Sequence, residues 1–253
     1  MKRWVLPVLL VAITLGAWQI AASTGALAQL FNLESFLVPS PAEVASSLWD
    51  NRALLAENAW VTLREVLAGF GCGLLAGVGS AVALHLSETL RRATYPLLVA
   101  SQAIPIVAIA PILIVLFGFG VWPKLVIVAL VCFFPITVNT LDGLRAVDPD
   151  AIKLMRSLDG SRWQIFRRVE APTALPYTFS GAKVAVAVAV IGAVFAEWAG
   201  SSVGTGGLGA LIRVDNALLQ TSRLFAEVFV LAVIAIGLFG LLALAERRVV
   251  TWR

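Results

Sequence analysis

Very few side chains in this sequence have the chemistry of a catalyst or a metal site. His85 is the only histidine, and no cluster of histidine, cysteine or carboxylate residues accompanies it. Cys72 and Cys132 each sit inside an apolar run with no paired spacing, so neither a disulfide framework nor a metal site is expected. Gly204-Thr205-Gly206-Gly207-Leu208-Gly209 spells G-x-G-x-x-G, but that fingerprint needs a preceding strand in a βαβ unit, and here an apolar run of helical length precedes it. No phosphate-binding G-x-x-x-x-G-K-[ST] loop occurs, nor any paired-carboxylate or nucleophile–base constellation. The chain is read as a non-enzyme that binds no cofactor itself, and any energy from ATP would have to come from another subunit.

One polar, basic stretch stands out, VDPDAIKLMRSLDGSRWQIFRRVEAPTALP from Val147 to Pro176. Asp148 is an N-cap with Pro149 at the first helical position, where a missing N–H costs nothing, and Asp150 adds negative charge at the positive helix end. Leu154, Met155 and Leu158 form an apolar face. Asp159-Gly160 interrupts the helix, and Ser161 with Gln164 makes a capping box that starts a second one, whose apolar face is Ile165, Phe166 and Val169. Pro172 and Pro176 are expected to stop it. The result is a helix-turn-helix within a long loop, 144–178, basic on one side and apolar on the other. It suits either anionic lipid headgroups or a docked protein.

Around this stretch the chain is hydrocarbon. Hydrophobic residues make up 60% and charged residues 13%, and the mean hydropathy is +0.92, which defines an integral membrane protein. A spanning helix needs about 20 apolar residues, and such runs occur at about 5–22, 59–86, 95–117, 124–141, 179–199 and 224–245. None alternates with the period of a barrel strand. The expected fold is a single all-α membrane domain, 1–253, with six transmembrane helices.

Lys and Arg mark the cytoplasmic side. With the amino terminus inside, the inner segments hold Lys2, Arg3, Arg91, Arg92, Arg145, Lys153, Arg156, Arg162, Arg167, Arg168, Arg247, Arg248 and Arg253, 13 of the 19 cations. Both termini are then cytoplasmic. Topology accounts for the isoelectric point of about 9.5, and no basic soluble face or aromatic platform suggests a nucleic acid partner. Lys2 and Arg3 before an apolar run, with Ala26-Leu27-Ala28 beyond it, resemble a signal peptide. The run exceeds a signal core of about 7 to 15 residues, so the first helix is read as retained. Pro39-Ser40-Pro41 and the mixed stretch Glu43 to Glu57 follow as an outer loop with a short amphipathic helix.

A polar side chain inside a membrane helix is by default a functional candidate. Glu197 and Trp198, at the outer end of the fifth run, and Gln102 and Asn139 are assigned to a solute pathway. Pro105 and Pro111 are placed to break the third run so that carbonyls line a cavity. Interhelical hydrogen bonding for Gln102 and Asn139, and interfacial anchoring for Trp198, are the alternatives. Gly204, Gly207 and Gly209 let the outer chain fold back tightly, as a gate or as an ordinary loop.

Ser161 to Pro172, SRWQIFRRVEAP, resembles the tail of the cytoplasmic signature of permease subunits of binding-protein-dependent bacterial ABC importers. Phe36 to Pro41, AIPIVAIAPILIVLFGFG, FFPITVNTLDGLR and the GLG of the outer loop are similar to its nitrate, sulfonate and taurine branch. Within that branch the likeness is strongest to permeases for riboflavin or pyrimidine precursors of thiamine. The head of the signature departs: Lys153 stands at the family's Glu, Leu154 and Met155 at two alanines and Asp159 at the glycine, with Gly160 one place late. Aspartate tolerates the left-handed region, so the turn is expected to persist.

The resemblance implies a multi-pass protein of the bacterial inner membrane, paired with a second copy, bound to two ATP-binding subunits that hold ATP and magnesium, and served by an extracytoplasmic solute-binding protein. It further implies that Lys153, Met155, Arg156, Asp159, Gly160, Ser161, Trp163, Phe166 and Pro172 belong to the ATPase-coupling element, and that solute moves by alternating access. A carboxylate beside an aromatic ring at Glu197 and Trp198 points to a heteroaromatic vitamin or precursor as solute, with nitrate, sulfonate or taurine as the alternative. An ATP-independent secondary transporter remains the alternative class.

Overall fold

The computed structural model describes residues 2–32, 34, 37–200 and 206–252. They form helices and no strand: α1 (Lys2–Ser23), α2 (Ala26–Phe31), α3 (Pro41–Asp50), α4 (Arg52–Leu86), α5 (Glu88–Ser101), α6 (Ile106–Phe117), α7 (Val121–Arg145), α8 (Pro149–Ser157), α9 (Arg162–Ile165), a π-helical turn (Phe166–Glu170), α10 (Ala171–Gly200), α11 (Leu208–Ala217) and α12 (Thr221–Val249).

The centre of the bundle is α7, packed along its length against α4 on one side and α10 on the other. Glycines at four-residue spacing bring α4 and α7 together. A Cβ on Gly69 would stand 2.5 Å from the Val128 side chain, one on Gly73 2.7 Å from Cys132, and one on Gly77 2.9 Å from Ile136. This is the small-residue stripe by which membrane helices gain van der Waals contact where lipid offers no hydrophobic drive. Across the other face, Ala182, Ala185, Ala189, Ala193 and Ala196 of α10 are buried. Half of the apolar window spanning α10 is buried but none of that in α1 and 6% of that in α12, so the outer two helices present apolar side chains to hydrocarbon.

The described residues contain five helices long and apolar enough to cross a membrane, where six were expected. The third expected span, 95–117, is divided: α5 ends at Ser101 and α6 starts at Ile106. Pro105 is the N-cap of α6 with φ −64° and ψ 122°, and a proline pushes its predecessor out of the α region. Pro111 lies within α6 without ending it.

Two further boundaries differ. The mixed stretch Glu43 to Glu57 is cut at Asn51. Before it, α3 starts with a Ser40–Glu43 capping box and Pro41; after it, α4 runs 35 residues, about 50 Å. Pro172 and Pro176 do not stop the second helix of this loop, because α9, the π turn and α10 form one continuous helical run, Arg162–Gly200. The π turn explains this. Its wider ring, with the Ala171 N–H donating to the Phe166 carbonyl, gives room just ahead of Pro172, where a regular helix would require the N–H that proline lacks.

Candidate functional site

At one end of the bundle, α8 and α9 make the hairpin expected from sequence. Asp148 caps α8 by accepting from the Asp150 N–H at 2.9 Å. The helix closes with Asp159 at φ 55°, its N–H donating to the Arg156 carbonyl at 3.1 Å while the Gly160 N–H donates to that of Met155 at 2.9 Å. This is the Schellman pattern, with aspartate at the left-handed position. Gly160 is required for a different reason: a Cβ there would lie 2.6 Å from the Met155 carbonyl oxygen. The Ser161 N–H then donates to Gln164 Oε1 at 2.7 Å and the Gln164 N–H to Ser161 Oγ at 3.3 Å, completing the capping box.

The hairpin shows an apolar surface. Leu154, Leu158 and Trp163 are 62%, 70% and 65% exposed, and Trp163 stacks on Phe166 at 5.6 Å. Lys153 pairs with Asp150 at 2.8 Å, both largely exposed, a geometry worth about 0.2–1 kcal/mol. Arg156 and Arg162 face a cavity of about 290 Å³ closed by His85, Ile152, Ile165 and Glu170. His85 Nε2 and Glu170 Oε2, 2.9 Å apart, join the last turn of α4 to the π turn. Sequence reasoning left His85 without a role, since its partner lies 85 residues away. Pro172 follows the π turn at the start of α10.

At the opposite end, Glu197, Gly207 and Gly209 come together. The Gly209 N–H donates to Glu197 Oε2 at 2.6 Å and Thr62 Oγ1 to Glu197 Oε1 at 2.7 Å. Thr62 Oγ1 accepts from the Leu208 N–H at 2.9 Å, and Asn58 Oδ1 from the Gly207 N–H at 2.8 Å. Three consecutive N–H groups at the start of α11, which has no capping side chain of its own, are thus taken by α4 and α10. Gly207 has φ 131°, and a Cβ on it would meet the Glu197 carboxylate at 2.3 Å. Gly204 lies outside the described residues.

Glu197, assigned from sequence to a solute pathway, is fully buried here, and its two oxygens accept from Thr62 and from the Gly209 N–H at the start of α11. Beside it, Lys124 Nζ donates to Glu65 Oε1 at 2.7 Å and to the Gly206 carbonyl at 3.4 Å, with Lys124 2% and Glu65 5% exposed. Asn58, Thr62, Glu65 and Lys124 were missed by sequence reasoning, although the rule that flagged Glu197 applies equally to Glu65. A second buried group, the Asp215–Arg223 ion pair with Glu227, ties α11 to α12.

The other pathway candidates stay apart. Trp198 stacks on Phe195 at 6.4 Å and is 39% exposed. Gln102 and Pro105 form the exposed break between α5 and α6. Asn139 donates to the Pro135 carbonyl of its own helix at 2.7 Å. Among the described residues no three His, Cys, Asp or Glu side chains are grouped to hold a metal.

A model of the family described as the inner membrane component of binding-protein-dependent transport systems matches residues 69–251, and the chain belongs to that family. It is a transport subunit of the bacterial inner membrane, with ATP hydrolysis assigned to a separate ATP-binding subunit. A "Probable ABC transporter permease protein" of Haemophilus influenzae is 37% identical over 94% of this chain and 93% of its own length. The riboflavin transport system permease protein RibX of Chloroflexus aurantiacus is also 37% identical, over 86% and 81%. The formylaminopyrimidine transport permease protein ThiX of Halalkalibacterium halodurans is 34% identical, over 87% of both; relatives named for aliphatic sulfonates and taurine are 28% to 31% identical. The inward-facing MetNI methionine ABC transporter shares the fold, with a TM-score of 0.64 at 21% identity over 80% of this chain and 97% of that one.

Proposed function

We propose that this permease pairs with a second copy, binds two ATP-binding subunits through the α8–α9 hairpin, and carries a heteroaromatic vitamin or vitamin precursor into the cell. The hairpin end is cytoplasmic on this reading, since it holds most of the cations. ATP and magnesium sit on the partner subunits, and a solute-binding protein delivers solute at the opposite end. ATP-driven closure of the partners moves the hairpin, and the bundle follows because the ATPase contacts differ between its two states.

The solute class rests on one observation. The relatives named for riboflavin and formylaminopyrimidine are 37% and 34% identical over most of their length, against 28% to 31% for those named for sulfonates and taurine. Uptake of labelled formylaminopyrimidine, riboflavin and taurine in a strain lacking the permease tests the reading: restored pyrimidine or riboflavin uptake is expected, and restored taurine uptake alone overturns it.

A further inference from the structure

A second cavity, of about 270 Å³, lies at the same end of the bundle as the hairpin, between the first turns of α5 and the last turn of α7. Its wall carries three guanidinium groups, Arg91, Arg92 and Arg145, with the Tyr95 phenol, the Asp142 carboxylate and, as floor, Leu141. Arg91 and Arg92 both pair with Glu88, whose carboxyl they hold down at about 2. That carboxylate is 54% exposed, so the pairs are weak competitors for an incoming anion. Arg145 has no ion pair or hydrogen bond to another described side chain. Against Glu88 and Asp142, the three arginines leave one positive charge over.

The surroundings fix the depth. Leu141 is 1% exposed and packs with Ala81 and Leu84, flanked by Tyr95 and Leu98. Along α5 the chain changes within about two turns from Glu88, Arg91 and Arg92 to Leu97 and Val99, which are 69% and 49% exposed. A tyrosine at such a change marks the membrane–water boundary. A guanidinium fork matches two phosphate oxygens at once, and basic pockets between transmembrane helices at this depth take anionic headgroups.

We infer that this cavity binds the phosphate of an anionic phospholipid, such as phosphatidylglycerol, with the headgroup among Arg91, Arg92 and Arg145 and the acyl chains along the exposed apolar side of α5. Three residues after Arg145, Asp148 caps α8, so an occupied site braces the root of the hairpin. The identity of the transported solute does not enter this inference.

The test uses the intact transporter in nanodiscs of phosphatidylcholine with or without phosphatidylglycerol, with bound lipid counted by native mass spectrometry. The wild type is expected to retain phosphatidylglycerol selectively. The double variant Arg91→Gln/Arg145→Gln loses that selectivity roughly tenfold, whereas Arg248→Gln, at the same end but outside the cavity, keeps it. Because removing two charges can impair assembly, Arg145→Lys is measured alongside: it keeps the charge, loses the fork and retains an intermediate amount. Equal retention by wild type and assembled double variant overturns the proposal. Displacement of the lipid by inorganic phosphate overturns the lipid assignment in favour of a free-anion site.

Discussion

At the hairpin end Lys153 and Asp150 pair in the open, whereas at the opposite end Lys124 and Glu65 pair almost wholly out of reach of water. The geometries are nearly identical, 2.8 and 2.7 Å, but their energetic meaning differs. An exposed pair exchanges one set of favourable contacts for water at little net gain. A buried pair has already lost its hydration, so removing one partner strands a charge. The hairpin can therefore change its contacts cheaply as it meets and leaves a partner. The other end is arranged to hold the start of α11 in one place.

Substitutions should separate the two ends by magnitude. Lys124→Met strands Glu65 and is expected to lower stability by about 3–5 kcal/mol, read as a large drop in the thermal unfolding midpoint of the purified transporter; a drop no larger than that of Lys153→Met would abolish the contrast. Gly207→Ala drives a methyl group into the Glu197 carboxylate at an unfavourable φ and should cost about 1–3 kcal/mol, read as a lower thermal unfolding midpoint. Gly160→Pro removes the N–H that closes α8. Solute-stimulated ATP hydrolysis should fall about tenfold with assembly retained, and an unchanged rate would remove the hairpin from coupling. His85→Gln should weaken the tie between α4 and the π turn and reduce the same stimulation a few-fold. Lys153→Met comes last, at under about 1 kcal/mol.

What was legible in the sequence divides along the same line. Asp148, Pro149, Asp159, Ser161 and Gln164 act on neighbours two to five residues away, so spacing alone revealed the caps and the turn. Glu197 was conspicuous as a carboxylate in an apolar run, but its partner Thr62 lies 135 residues away, and a single sequence does not record which distant residues meet. The same holds for Lys124 and Glu65. Pro172 and Pro176 were read by a rule for regular helices, and a π turn changes the hydrogen-bond register that the rule assumes. The third run was assigned as one span broken at Pro105 and Pro111; a helix boundary falls at Pro105, where backbone sterics act on the preceding residue, while Pro111 is accommodated within α6.

The run from Arg162 to Gly200 also has a mechanical consequence. It makes a close backbone approach to α7 at Gly181, where a Cβ would stand 2.7 Å from the Pro135 carbonyl oxygen. From there it is 18 residues back to Trp163 and 16 forward to Glu197, lever arms of about 27 and 24 Å at 1.5 Å per residue. A see-saw balanced so nearly at its middle neither amplifies nor damps. A tilt about that contact would move the two ends by similar distances in opposite directions.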